Sequence, residues 1–410
     1  MAEWHVITCE YPPQVGGVSD YTKLVAHGLA EAGDEVHVWG PRVAGGNEGK
    51  GQRAKGEEQR AKSEEKDSAS SPITHHSSLV KVHREFGRFR PGDLRRVGKQ
   101  LDQFAAPRRL LVQWVPHGYG YRSMNLRFCF WLWRRAKLKG DRVELMVHEP
   151  FLAFGEGSRK QDAAALIHRL MIMVLLNSAS RVWMSIPGWE PRLCPYMLGK
   201  SVPLQWIPIP SSVPVVMDSS GISGRRGRYI HNGNLLVGHF GTGEYHIREL
   251  LFTATNSLLD QDPNAQLLLM GQGSEQLREE LTQKAPNLAA RIHATGWLPE
   301  DDLSLHVSAC DIMLQPYPDG ISSRRTSAMV GLSHGTPVLT THGHLTEPLW
   351  GETGAVVLVP TQGMEDLSQL TASLLADSRH RERMGAAARK LYADRFDVRH
   401  TIAALRAGLR

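Results

Sequence analysis

Closely spaced cysteines are missing from this chain. Its four cysteines, Cys9, Cys129, Cys194 and Cys310, are scattered, and no CxxC or Cys/His zinc spacing occurs. A disulfide framework is therefore not expected, and a reducing cytoplasm fits. A long apolar run is also missing. The stretch Ile167 to Asn177 is interrupted by His168 and Arg169 and is too short to span a bilayer, so it reads as a buried helix. The chain opens on Glu3-Trp4-His5 leading straight into a strand, with no signal-peptide pattern. A strong charge imbalance is lacking as well. The net charge of +6 is modest, part of it lies in a low-complexity segment, and it does not point to nucleic acid.

The 410 residues are ample for two domains. Short apolar runs alternate with amphipathic helical periods from end to end, which predicts α/β architecture with parallel sheets. The run WHVITC (Trp4 to Cys9), the loop EYPPQVGGVS, a helix from Asp20 and the strand Glu35 to Trp39 form a βαβ opening. Residues 44–78 break the pattern. They are charged, poor in apolar residues and nearly repeat QRAK, so a disordered surface insertion is expected, and His75-His76 within it are not read as a metal site. Order resumes near Leu79. RLLVQW (Arg109 to Trp114) is a strand, VPHGYGYRSMN a glycine-bearing loop, and LRFCFWLWRRAKLK (Leu126 to Lys139) a basic, aromatic helix that could also meet an anionic membrane surface. The strand Val143 to Val147 runs into His148. WIPIPSSVP is a stiff connector, so domains are expected at 1–210 and 211–385, with helices at 386–410 packing back toward the first domain.

The chemistry-bearing residues gather after strands. In a doubly wound sheet, ligands sit at the carboxyl ends of strands, beside the N-termini of the following helices. Gly16, Gly17 and Val18 occupy such a place, where glycines let backbone amides approach a ligand. So do Gly241-Thr242-Gly243 and Gly271 in the second half. The turn from Asp319 to Thr326 follows the strand Ile312 to Leu314 and carries Ser322, Ser323, Arg324, Arg325 and Thr326, donors suited to phosphate and sugar oxygens. His246 and Arg248 are lesser cationic candidates. By pattern alone Trp297, after Gly296, reads as a core tryptophan and Glu347 as an acid in a first helical turn. On the first domain, His117, Tyr119, Tyr121 and Asn125 lie in one glycine loop after a strand.

Several motifs then resemble, in order, the retaining family-four glycosyltransferases of the GT-B fold (glycosyl transferases group 1). YPPQVGGVSDYTKLVAHGLAEAGDEVHVW is similar to that family's N-terminal signature. LLLMGQGSEQLREEL, ATGWLPEDDLSLHVSACDIMLQPYPDG and HGTPVLTT…LTEPL are similar to its second-domain segments. The resemblance implies two Rossmann-like domains facing across a cleft. It also implies transfer of a sugar from a nucleotide diphosphate sugar to an acceptor hydroxyl, with retention, and with no cofactor or metal beyond that co-substrate. His148 falls where the family places an active-site histidine, and the resemblance further implies Trp297 beside the base, Glu347 as the family's acid that fixes the ribose, and His117, Tyr119, Tyr121 and Asn125 as acceptor-side residues. The family's two glutamates would fall on Ser322 and Val330, neither acidic, and Asp319 is the stand-in for the first. Two other readings stay open: a nucleotide-sugar or glycan-binding protein without turnover, and a sugar-nucleotide epimerase. The expected partners are a nucleotide-sugar donor and a glycan, lipid or small-molecule acceptor, with no nucleic acid and at most weak contact with the inner membrane surface.

Overall fold

The computed structural model describes residues 1–42, 79–155, 158–230, 234–241, 245–361 and 374–408. The insertion at 44–78, the pair His75-His76, Thr242 and Gly243 lie outside those residues. The chain divides into two compact units, Met1–Pro208 with Val398–Arg410, and Ile209–Asp397.

The first unit is built on a fully parallel seven-stranded sheet. Its strands are β1 (Glu3–Ile7), β2 (Glu35–Trp39), β3 (Val80–His83), β4 (Arg109–Trp114), β5 (Arg142–Val147), β6 (Ala179–Met184) and β7 (Leu204–Trp206), in the order β3-β2-β1-β4-β5-β6-β7. β4 shows why parallel sheets read as unbroken apolar runs. Helices cover both faces, and all six of its residues are buried. The only charged residue in β4, Arg109, is neutralised within the unit. Its Nε donates to Glu144 at 2.5 Å and its Nη2 to the Leu405 carbonyl at 3.0 Å.

The second unit repeats the scheme with six strands. These are β8 (Leu236–Phe240), β9 (Gln266–Met270), β10 (Ile292–Ala294), β11 (Ile312–Gln315), β12 (Val338–His342) and β13 (Val356–Pro360), in the order β10-β9-β8-β11-β12-β13. All pairings are parallel. Each sheet therefore reverses its winding once, between β1 and β4 and between β8 and β11. Ligand sites of doubly wound sheets lie outside the carboxyl ends at those reversals.

Two boundaries differ from the sequence expectation. The unit boundary falls at Pro208/Ile209, because the Ile209 amide already bonds to the Ser323 carbonyl of the second unit at 2.9 Å. The return to the first unit begins at Val398, not at 386. Up to Asp397 the chain stays with the second unit, where Phe396 stacks on Trp350 with ring centroids 5.4 Å apart and Tyr392 accepts the Ser211 amide at 3.1 Å. From Val398 the last helix covers the first, and a Cβ on Gly28 would lie 2.9 Å from Ile402. The polar segment after the connector forms a helix, Ser219–Arg226, capped by the Asp218 carboxylate on the Gly221 amide at 3.0 Å. No helix among the described residues is long and apolar enough to cross a membrane. Cys9, Cys129, Cys194 and Cys310 are all free thiols.

Candidate active site

In the first unit the loops after β1, β4 and β5 supply the groups at the sheet's reversal. Glu10, which the sequence reading did not single out, organises the first loop. Its Oε1 accepts hydrogen bonds from the Val18 and Ser19 amides, each at 3.0 Å. The start of the helix Gly17–Glu31 is therefore occupied by the protein's own carboxylate. This corrects the expectation that the Val18 amide is free for a ligand. It also separates the two glycines. A Cβ on Gly16 would fall 2.3 Å from Glu10 Oε1, whereas Gly17 faces open space. Burial pushes the Glu10 carboxyl above its ordinary value, opposed by the two amide bonds.

His148 follows β5 directly. Its amide bonds to the Trp114 carbonyl at 3.0 Å, and its Nε2 pairs with Gln113 Oε1 at 2.9 Å. The ring of Tyr21 meets it edge-on at 5.0 Å. Burial pushes the imidazole down to about 3, so at neutral pH His148 is an uncharged ring held by Gln113 and packed against Tyr21. As a base it is too weak to take a proton from a hydroxyl. Its chemistry is that of a hydrogen-bonding and positioning group.

Two of the four acceptor-side candidates prove to be structural. Tyr119 is fully buried, donates to the Gln113 carbonyl, and stacks between Trp114 at 5.6 Å and Phe128 at 4.3 Å. Asn125 caps the helix Leu126–Lys139: its Oδ1 accepts from the Phe128 amide at 3.1 Å, and its Nδ2 donates to the Tyr119 carbonyl at 2.7 Å. Neither has a polar atom left for an acceptor. His117 and Tyr121, in contrast, are exposed on the same loop.

In the second unit the loop after β11 carries the densest polar cluster. Asp319 binds the Arg324 guanidinium at 2.6 Å through one oxygen and Arg325 through the other. Burial by itself would raise the Asp319 carboxyl. The guanidiniums of Arg325 and Arg324 more than offset this and hold it below its ordinary value. With both oxygens engaged and the proton held off, Asp319, expected as the stand-in for the family's first glutamate, orients two cations. The trio keeps one net positive charge. Arg325 also lies over the Tyr317 ring, 4.6 Å from its centre, and the Tyr317 hydroxyl bonds to Ser327 at 2.7 Å. Arg325 sits at the N-cap of the helix Thr326–His334, so the helix dipole adds to the positive field.

The loop is fixed from below by Glu347, which binds the Ser323 amide and hydroxyl and the Trp350 indole at 2.7 Å. Glu347 therefore holds the loop, and its oxygens are engaged away from any ribose. Ser322 and Ser323 are fully buried, which removes both from direct contact with a ligand in this arrangement. Val330 is fully buried in apolar packing. Gly320 has φ +85°, and a Cβ there would fall 2.2 Å from the Gly343 amide and from Thr346 Oγ1. Only glycine allows this loop to lie against the loop after β12.

The remaining donor-side candidates divide. Gly241 and Gly271 end neighbouring strands, and a Cβ on Gly271 (φ +102°) would sit 3.2 Å from the Gly241 carbonyl. Trp297 is half-buried after β10, and Thr326 opens its helix half-buried. Arg248 is drawn away to Glu280, with its Nη1 2.6 and 2.7 Å from the two carboxylate oxygens. Among the described residues no group of three or more His, Cys, Asp or Glu side chains is arranged to hold a metal ion.

Residues 234–377, which include every strand of the second sheet, match the family model of glycosyl transferases group 1. The whole chain has the fold of solved glycosyltransferases. Sucrose-phosphate synthase from Thermosynechococcus elongatus superposes with a TM-score of 0.70 at 17% identity, covering 100% of this chain and 98% of that one. Anabaena HepE in complex with UDP superposes at 0.65 and 15%, covering 100% and 99%, and HepE has also been solved with UDP-glucose. WaaG, a glycosyltransferase involved in lipopolysaccharide biosynthesis, superposes at 0.56 and 13%, covering 97% and 96%. A search of curated protein sequences finds no match.

Proposed function

We propose that the protein, whose residues 234–377 match the model of glycosyl transferases group 1 on a chain of GT-B fold, moves a sugar from a nucleotide diphosphate sugar to an acceptor hydroxyl, with retention of configuration. The observation that carries this reading is the Asp319, Arg324 and Arg325 trio at the carboxyl end of β11. It is a fixed, net positive group beside a helix N-terminus, at the winding reversal of the family-matched sheet. Such a group stabilises the charge that grows on a diphosphate as its bond to the sugar breaks. Because Asp319 and Glu347 set the loop beforehand, the arginines need little reorganisation when that charge appears.

In this reading the leaving phosphate accepts the proton of the incoming hydroxyl on the face it departs from. The sugar's configuration is then kept, and no side chain has to serve as a strong base. Neutral His148 fits the scheme, since it can orient a sugar hydroxyl without adding charge. The guanidiniums take the role of a metal ion at the diphosphate. HepE, solved with UDP and with UDP-glucose, suggests a uridine nucleotide as the first donor to try. The four free thiols suit a reducing, cytoplasmic setting.

The test is titration calorimetry with UDP and UDP-sugars on the intact chain and on Arg325→Ala. A group lost from a charged hydrogen bond to phosphate costs about 2–5 kcal/mol, so the variant should bind at least about tenfold more weakly. Unchanged affinity takes Arg325 out of the site. A second reading, binding without turnover, is favoured by one observation: the positions where the family carries glutamates are a buried serine, Ser322, and a buried valine, Val330. Nucleotide binding with no UDP released from any sugar donor, even on prolonged incubation with glycan and lipid acceptors, would select it.

A further inference from the structure

The helix Leu126–Lys139 and the helix Arg159–Ser178 lie side by side on the first unit, joined by Trp133 Nε1 to Asn177 Oδ1 at 3.0 Å and by His168 Nε2 to the Ser123 carbonyl at 2.7 Å. A helix covering a sheet needs one apolar stripe, and each has it: Phe128, Cys129 and Leu132 on the first, Ala165, Ile172 and Leu176 on the second. Each also carries exposed apolar residues on the opposite side. On the first helix Phe130 is 52% exposed and Leu138 65%. On the second Leu166 is 54% exposed and Leu170 38%, with Met173 half-buried one turn on. The two adjacent helices thus present exposed leucines and a phenylalanine on their outer sides, apolar groups of a kind that marks an interaction site when they cluster.

The exposed charged side chains of the two helices are all basic. Arg127, Arg134 and Lys137 are exposed on the outer side of the first helix, which carries no acidic residue. The second helix begins with exposed Arg159 and Lys160, and its single acid, Asp162, is engaged by the Gly155 amide at 2.9 Å. The cations that do have internal partners, Arg135 and Lys139, bind Asp102 and are not part of this set. Apolar side chains ringed by uncompensated lysine and arginine match the interfacial region of a bilayer with anionic headgroups. There the aliphatic and aromatic groups enter the acyl boundary and the cations meet phosphate.

We propose that the outer face of these two helices docks the protein on an anionic lipid surface. The docking is peripheral, since neither helix spans a membrane. It would bring the loop that carries His117 and Tyr121 to the bilayer, because that loop runs directly into the first helix. The docking is separate from the transfer reaction and holds whether or not the protein moves a sugar.

Vesicle flotation with the intact chain tests it, using phosphatidylcholine vesicles and vesicles of phosphatidylcholine with phosphatidylglycerol in equal parts. The wild type should float with the anionic vesicles, poorly with the neutral ones, and less as salt is raised. Two pairs of exposed substitutions, Phe130→Ser with Leu138→Ser and Arg134→Glu with Lys137→Glu, should each lower the anionic-vesicle affinity at least about tenfold while leaving thermal unfolding at the wild-type temperature. Leu166→Ser with Leu170→Ser provides a third, independent pair on the second helix. Equal binding to both vesicle types, or flotation indifferent to all three pairs, overturns the proposal. So does a lipid-free dimer that the same substitutions dissociate in sedimentation, which would assign the face to a second copy of the chain.

Discussion

Glu347 holds Ser323 at three points. The Ser323 amide donates to the two carboxylate oxygens at 3.0 and 3.2 Å, and its hydroxyl donates to one of them at 2.5 Å. The residue after Ser323 is Arg324, so the position of the Arg324 and Arg325 guanidiniums depends on a buried acid.

Glu347→Ala should therefore cost about 2–3 kcal/mol of stability, since it strands a buried amide and hydroxyl that now share a charged acceptor. It should also weaken nucleotide binding. Urea unfolding and UDP calorimetry read the two effects separately. Full stability in this variant would show that the loop is held by other contacts.

Gly320→Ala tests the same loop from its other side. The alanine must adopt φ +85° and place its Cβ against Gly343 and Thr346. A destabilisation of about 1–3 kcal/mol is expected from the backbone alone, together with a loss of nucleotide affinity. A crystal structure of the variant with an unmoved loop would contradict the close approach.

Glu10 makes a contrast between two substitutions. Glu10→Gln keeps an oxygen that can accept from Val18 and Ser19, and it removes a carboxylate that burial disfavours, so stability should change little. Glu10→Ala leaves the helix N-terminus uncapped and should lose about 1 kcal/mol, with a melting temperature lowered by a few degrees. Equal losses in both would mean that the charge, and not the hydrogen bonds, carries the cap.

Buried histidines set the acid response. His148 has its pKa lowered to about 3, and in the unfolded chain it returns to about 6.5. Above the unfolded value it is neutral in both states and contributes nothing. Below that value the unfolded chain binds a proton that the folded one refuses, so stability falls as pH drops from about 6.5 toward 3. The slope is about 1.4 kcal/mol per pH unit for one such group. His5, pushed down to about 3, and His239, pushed down to about 4, add in the same direction. His148→Gln should flatten the stability profile between pH 6.5 and 4 by one proton's worth, as measured by denaturant titration at stepped pH. An unchanged slope would mean that the ring already exchanges protons in the folded state.

The sheets were readable because parallel strands are buried on both faces and so stand out as apolar runs. Arg109–Trp114, Gln266–Met270 and the helix Leu126–Lys139 fall where the pattern puts them. β3 did not show itself, since in Val80–His83 only Val80 is buried at the sheet's edge. The helix Ser219–Arg226 was hidden by its two glycines and polar composition. At the site, residue types were legible but pairings were not. His148 meets Gln113 across 35 positions and Ser323 meets Glu347 across 24, and local pattern carries no trace of either. Tyr119 and Asn125 misled for a related reason: a loop rich in glycine and tyrosine looks the same whether its rings face water or the core. Asp319 was noticed as an acid beside two arginines, yet only geometry shows that both of its oxygens are spent on them.

The helix Val398–Ala407, which rests on Gly28 and takes the Arg109 guanidinium at the Leu405 carbonyl, belongs to the unit that the chain left at Pro208. During synthesis, the middle of the polypeptide can thus complete its own sheet before the opening two hundred residues receive their final covering. The part made first is finished last, and a ribosome that stalls just short of Val398 would release a well-formed second half attached to a first half with an uncovered seam.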